Sequence, residues 1–227
     1  MIGLKENETK TITWEDAVRL AAEASQKARI VLADETNLRL TTTQGKCLVM
    51  AIAQRLLIYP ISHYDVNHGI SIRIRQSDDI SSIAENAATK ALESIVTDAE
   101  SDPEIINMAV LMTAAEIIGS ICPADFAGGL IAGKITVLIS DCVTSELEQR
   151  CLKLAATMHL LDVFINRSGI WAEVAFDVQT DRKVQRIRNQ AIRYATDNGI
   201  NEFEELTAAV ASAATILAQR MPPASET

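Results

Sequence analysis

Two histidines and an aspartate, His63, Asp65 and His68, sit close together in the polar run Pro60-Ile61-Ser62-His63-Tyr64-Asp65-Val66-Asn67-His68. Two imidazoles and one carboxylate facing one another on a turn form a ligand set for zinc or iron with open positions, or a small acid-base site. The plain alternative is a polar loop whose histidines make ordinary hydrogen bonds. A second candidate is Gly128 through Lys134, which reproduces the glycine, four residues, glycine, lysine part of a phosphate-binding loop. Ile135 stands where that loop needs a hydroxyl for magnesium, and no strand is expected before Gly128 to aim the backbone, so helix packing through glycines is the better reading.

A third feature is a basic stretch, Arg182, Lys183, Arg186, Arg188 and Arg193, without an intervening acid. Arg182, Arg186 and Arg193 keep helical spacing, and with Lys134 they are the residues to which an anionic group would bind. The corresponding first-half segment carries Asp78, Asp79, Glu85 and Glu93, so the sign of charge reverses between the two. Ion pairing between such helices, within one chain or between copies, is the simplest use of that reversal. His159, among Met158, Leu160 and Leu161, reads as a histidine at the edge of the core. No nucleophile elbow and no local Cys-His pair occurs, so the sequence does not decide whether this is an enzyme. No resident cofactor is expected beyond a divalent metal at the histidine loop.

Composition narrows the function classes. With 30 acidic and 21 basic residues the net charge is -9, which disfavours nucleic acid as a partner unless positive charge is locally concentrated. Cys47, Cys122, Cys142 and Cys151 contain no Cys-x-x-Cys pair and lie in apolar surroundings, the pattern of buried free thiols. The acids near the start leave no continuous apolar run for export, so a cytoplasmic location is expected. The apolar stretch 105 to 122 is interrupted by Asn107 and Glu116 and bracketed by Pro103 and Pro123, which marks a buried helix rather than a membrane span.

The elements that must position these residues follow from periodicity and caps. Helices are expected over about 14–33, 45–58, 77–98, 103–121, 143–166, 181–197 and 201–220, with Pro60 stopping the second and Gly199 capping the sixth. Short strands are expected at 37–43, 69–75, 135–140 and 170–176 from alternation and β-branched runs. The expected fold is therefore α+β and predominantly helical, with helices covering a small sheet of about four short strands. Right-handed crossovers would make neighbouring strands parallel.

Several short strings recur. Lys46-Cys47-Leu48 returns as Arg150-Cys151-Leu152, Gly69-Ile70 as Gly169-Ile170, and Thr113-Ala114-Ala115 as Ser212-Ala213-Ala214. The leading helix has a further echo, Ala17-Val18 in Ala109-Val110. An internal duplication would account for these, as would the shared composition of alanine-rich helices. The expected organisation is two repeat-like halves, 1–100 and 101–221, packed as one globular unit, with 222–227 as a disordered tail. In this reading 60–68 and 122–134 are insertions peculiar to one half. The function expected is a cytoplasmic, non-catalytic binding or assembly protein, a homo-oligomer or a partner of another protein. The alternative is a small-molecule enzyme or ligand-binding protein with its site at the His63–His68 loop.

Overall fold

Helix signals dominate the chain, and eight helices form among the described residues. The computed structural model describes residues 14–36, 43–64, 73–75, 79–98, 102–167, 177–179 and 182–221. The helices are α1 (Trp14–Thr36), α2 (Thr43–Tyr64), α3 (Asp79–Asp98), α4 (Pro103–Gly119), α5 (Phe126–Cys142), α6 (Glu146–Arg167), α7 (Arg182–Asp197) and α8 (Phe203–Gln219). Local chemistry sets their ends. Asp102 accepts from the amides of Glu104 and Ile105 at the start of α4, and Pro103 fills the first helical position, where no donor is needed. Gly199, at φ +96°, takes the left-handed turn that follows α7. Pro60 does not stop α2, which continues one further turn to Tyr64.

The expected α+β sheet is not present: the described part is an all-helical architecture. Its only extended segments are two three-residue stretches, Arg73–Arg75 (β1) and Asp177–Gln179 (β2), which pair antiparallel, not parallel. They form a short clasp, not a sheet under helices. The error is clearest at 135–140, which lies inside α5. Its β-branched residues suggest a strand, but Ile131, Ile135 and Ile139 recur every fourth residue and all are fully buried, while Val137 is 52% exposed. That is a helical face, and burying it outweighs the weak β preference of the run. Of the other expected strands, 37–42 and 170–176 lie outside the described residues.

The helices pack in a pattern that repeats. In the first half α1 lies on α3 and α4, and α2 on α3 and α4; in the second α5 lies on α7 and α8, and α6 on α7 and α8. Among the described residues, the substantial contacts between halves join each element to its own counterpart: α2 with α6, α4 with α8, β1 with β2. Like meeting like is the signature of a twofold axis. The register agrees. A single separation of 104 positions relates Cys47 to Cys151, Ala51 to Ala155, Leu56 to Leu160, Ile83 to Ile187 and Ala87 to Ala191. Gln54 Nε2 donates to the Met158 carbonyl at 3.0 Å, across the same separation of 104. Ile74 pairs with Val178 at the centre of the clasp, flanked by Arg73 with Gln179 and Arg75 with Asp177, so that pairing also joins counterparts.

Burial matches Ala21, Ala24, Ala28 and Leu32 of α1 to Gly128, Ile131, Ile135 and Ile139 of α5, and Ala109-Val110 of α4 to Ala209-Val210 of α8. The counterpart of the leading helix is thus α5, not α4. By contact α4 belongs with α1 to α3, and we place the boundary between units after it. The paired helices α4 and α8 form the centre, and small residues let them approach: Ala109, Ala114, Ala209, Ala213 and Ala214 are fully buried. With aromatics only 4% of the chain, close backbone approach replaces bulky side chains as the means of filling the interior.

Candidate functional site

This repeating pattern of helices fixes where each candidate residue can act. His63 lies in the last turn of α2, whereas Asp65 and His68 fall outside the described residues. Among the described residues no group of three or more metal-ligating side chains converges. The connection carrying these residues is not an insertion: 65–72 joins α2 to β1, and the matching 168–176 joins α6 to β2.

Gly128 through Lys134 lies within α5 and forms no phosphate loop. The amides that would hold a phosphate are already engaged. Asp125 caps the helix, its carboxylate accepting from the Gly128 amide at 2.6 Å. Ser212 Oγ on α8 donates to that carboxylate at 2.8 Å and accepts from the Asp125 amide at 2.9 Å. A carboxylate already occupies the positive end of the helix dipole. Gly128 is glycine because α8 passes directly over it: an added Cβ would collide with the Ser212 side chain and come within 2.7 Å of the Ala213 amide nitrogen.

Lys134 reaches the seam between α5 and α7, where its ammonium lies 5.4 Å from the centre of the Tyr194 ring. Arg182, Arg186 and Arg193 are exposed along the outer face of α7 and make no ion pair among the described residues, while Lys183 lies 3.7 Å from Glu148. Eight residues, about 12 Å along the axis, separate Arg186 from Tyr194, so Lys134 and the arginines do not form one compact anion pocket.

Arg188 turns inward instead. Its Nη1 lies 3.4 Å from His159 Nδ1 on α6, and the Asp162 carboxylate one turn further on supplies a compensating charge. His159 is 2% exposed, so it is a core residue. Burial first, and Arg188 second, push its imidazole down to about 4, which keeps it neutral near pH 7. Burial also lowers the Arg188 guanidinium, offset in part by Asp162. At the matching place in the first half, Arg55 of α2 lies 3.9 Å from Glu85 of α3. His159, Arg188 and Glu85 were visible singly in the sequence, but neither grouping was. The i, i+3 spacing of His159 and Asp162 within the largely apolar stretch 154–165 was the available signal.

Two hollows lie beside α3. One, of about 270 Å³, runs between α2 and α3 and is lined by Arg55, Tyr59, Ser62, Glu85 and Thr89 with apolar neighbours. The other, of about 400 Å³, runs between α1 and α3. None of the four cysteines is in a disulfide; Cys47 and Cys151 are buried, Cys122 is partly covered, and Cys142 is exposed, contrary to the expectation of four buried thiols. Burial raises the Cys122 thiol, with Lys46 opposing and Asp125 reinforcing the shift, so it is not activated as a nucleophile.

No family model matches the chain, and neither does any curated protein or solved structure. Among the described residues no helix is long and apolar enough to cross a membrane, and 105–119 is the interior helix α4.

Proposed function

We propose that this chain is a non-catalytic binding and assembly protein of the cytoplasm that associates with copies of itself, the basic face of α7 in one copy docking on the acidic α3 of the next. The observation that supports this reading is an exposed row of Arg182, Arg186 and Arg193 on a chain of net charge -9. Its pseudo-equivalent, α3, carries Asp79, Glu85, Glu93 and Asp98 against a single lysine, Lys90. Complementary charge on counterpart helices steers association and fixes orientation more than it adds affinity. A contact between non-identical faces closes into a ring or extends as a filament.

The test is light scattering across a salt series from about 0.05 to 0.5 M, where the Debye length shrinks well below 10 Å. The expected mass falls as salt rises, and Arg186→Glu with Arg193→Glu gives monomer at every salt. Mixing that double variant with Glu85→Lys, Glu93→Lys protein restores association. A wild-type chain monomeric throughout the series rules the reading out.

A second reading places a small anionic ligand at the His63–His68 loop. It is supported by the hollow lined by Tyr59 and Ser62 on the turn of α2 that leads into His63. Metal analysis of the purified protein, with His63→Ala and His68→Ala variants, tests it; metal-free protein whose ligand binding is unchanged in both variants excludes that loop.

A further inference from the structure

The seam between the first and third helices is built differently in the two halves. In the second, Lys134 lies over the Tyr194 ring where α5 meets α7. In the first the seam is open. The counterpart of Lys134 is Lys27 and the counterpart of Tyr194 is Lys90, and these two lysines line the hollow of about 400 Å³ between α1 and α3. The neighbouring positions correspond closely, Ile30 being 50% exposed and Val137 52%. What differs is that a second cation, Lys90, stands where the other half has the Tyr194 ring.

We propose that this hollow binds a small organic monoanion, a carboxylate carrying a short apolar body. Lys27 approaches from α1 and Lys90 from α3, while Glu93, 3.0 Å from Lys90, reduces the local charge to a single net positive. That balance suits a carboxylate and opposes a dianion such as phosphate. The floor is apolar, made by Ile30 and Val31. The independent sign of a ligand is Ser94. It lines the hollow, is only 5% exposed, and its hydroxyl has no hydrogen-bond partner among the described residues, whereas the neighbouring Thr97 hydroxyl is engaged with the Glu93 carbonyl at 2.7 Å. A buried hydroxyl without a partner is unfavourable unless something completes it, and a rotation of the Ser94 side chain toward a carboxylate held by the lysines does so. The volume falls within the range of small-ligand sites, about 300 to 1,000 Å³.

The experiment is calorimetric titration of the full chain with hexanoate and benzoate, with inorganic phosphate and hexylammonium as controls. The expected result is saturable binding of both carboxylates, weaker binding of phosphate, and none of hexylammonium. Lys27→Ala, at an exposed position where folding is not at stake, weakens binding about tenfold, the size of one charge-assisted contact. Ser94→Ala weakens it several-fold without lowering the melting temperature. Lys90→Tyr, which removes one cation and places the second half's ring at the hollow, abolishes it in a protein that still melts cooperatively. Absence of saturation by either carboxylate, phosphate binding more tightly than both, or undiminished affinity in Lys27→Ala overturns the proposal.

Discussion

The second and third helices meet in both halves through a polar group, and the two solutions are opposite in sign. In the first half the cation is on the second helix and the acid on the third: Arg55, with a side chain 11% exposed, reaches Glu85, which is 51% exposed. In the second the cation is on the third helix: Arg188 of α7 lies over His159, with Asp162 of α6 as its counter-charge. His159 occupies Arg55's place, and Arg188 stands one position before the counterpart of Glu85. The same seam therefore accepts either polarity provided the buried cation finds an acid. What the fold conserves is charge balance at the seam, not residue identity.

The comparison can be broken most forcefully at its tightest packing point. Gly128→Ala drives a methyl group into Ser212 and the α8 backbone and is expected to destabilise by about 3 kcal/mol in urea titrations, whereas Ala21→Gly at the matching position of α1 costs only about 1 kcal/mol of helix propensity. Gly129→Ala and Gly133→Ala, whose added carbons meet nothing within 4 Å, should leave stability equal or raised. Equal losses at Gly128 and Gly133 would contradict the packing described.

Acid tests the second-half seam next. His159 titrates at about 4 in the fold against an ordinary 6.5, so the folded state holds fewer protons than the unfolded chain between those values. Stability is therefore complete above about pH 6.5 and declines as pH falls toward 4, by on the order of 3 kcal/mol at most. His159→Gln removes this slope, and the difference between variant and wild type isolates it from the carboxylates that titrate nearby. A variant with the same acid slope would show that the ring is not buried as found.

Smaller effects separate the two polarities. Asp162→Asn leaves Arg188 without its acid and is expected to cost about 2 kcal/mol, while Glu85→Gln, removing a half-exposed acid 3.9 Å from its partner, costs roughly 0.5 kcal/mol. Smallest is the cation over the ring: Lys134→Ala should lose about 0.5 kcal/mol of stability, while Lys27→Ala, with no ring beneath it, should lose almost none.

Most helix boundaries were legible in the sequence because their causes are local. The Pro103 start and the Gly199 stop are single-residue signals, and α4, α6, α7 and α8 lie within about three residues of their expected ends. Helix α5 was not legible by the same logic, since Ile135-Thr136-Val137-Leu138-Ile139 favours extended backbone until the burial of every fourth isoleucine against α7 and α8 is counted. Missing that helix produced the false insertion at 122–134, while the one at the histidines came from ending α2 at Pro60 and from the chance match of Gly69-Ile70 with Gly169-Ile170. The exposed basic face of α7 was visible from spacing alone. The hollow between α1 and α3 was not, because Lys27 and Lys90 are far apart in sequence and become a pair only once α1 lies on α3.

The clasp centred on Ile74 and Val178, together with the Gln54 bond to Met158, means that the seams between the halves among the described residues join counterpart to counterpart. A half-chain emerging from denaturant meets, on any neighbouring molecule, the same edges that its own second half offers. Refolding at high concentration should thus yield exchanged dimers, and dilution should favour the self-closed form.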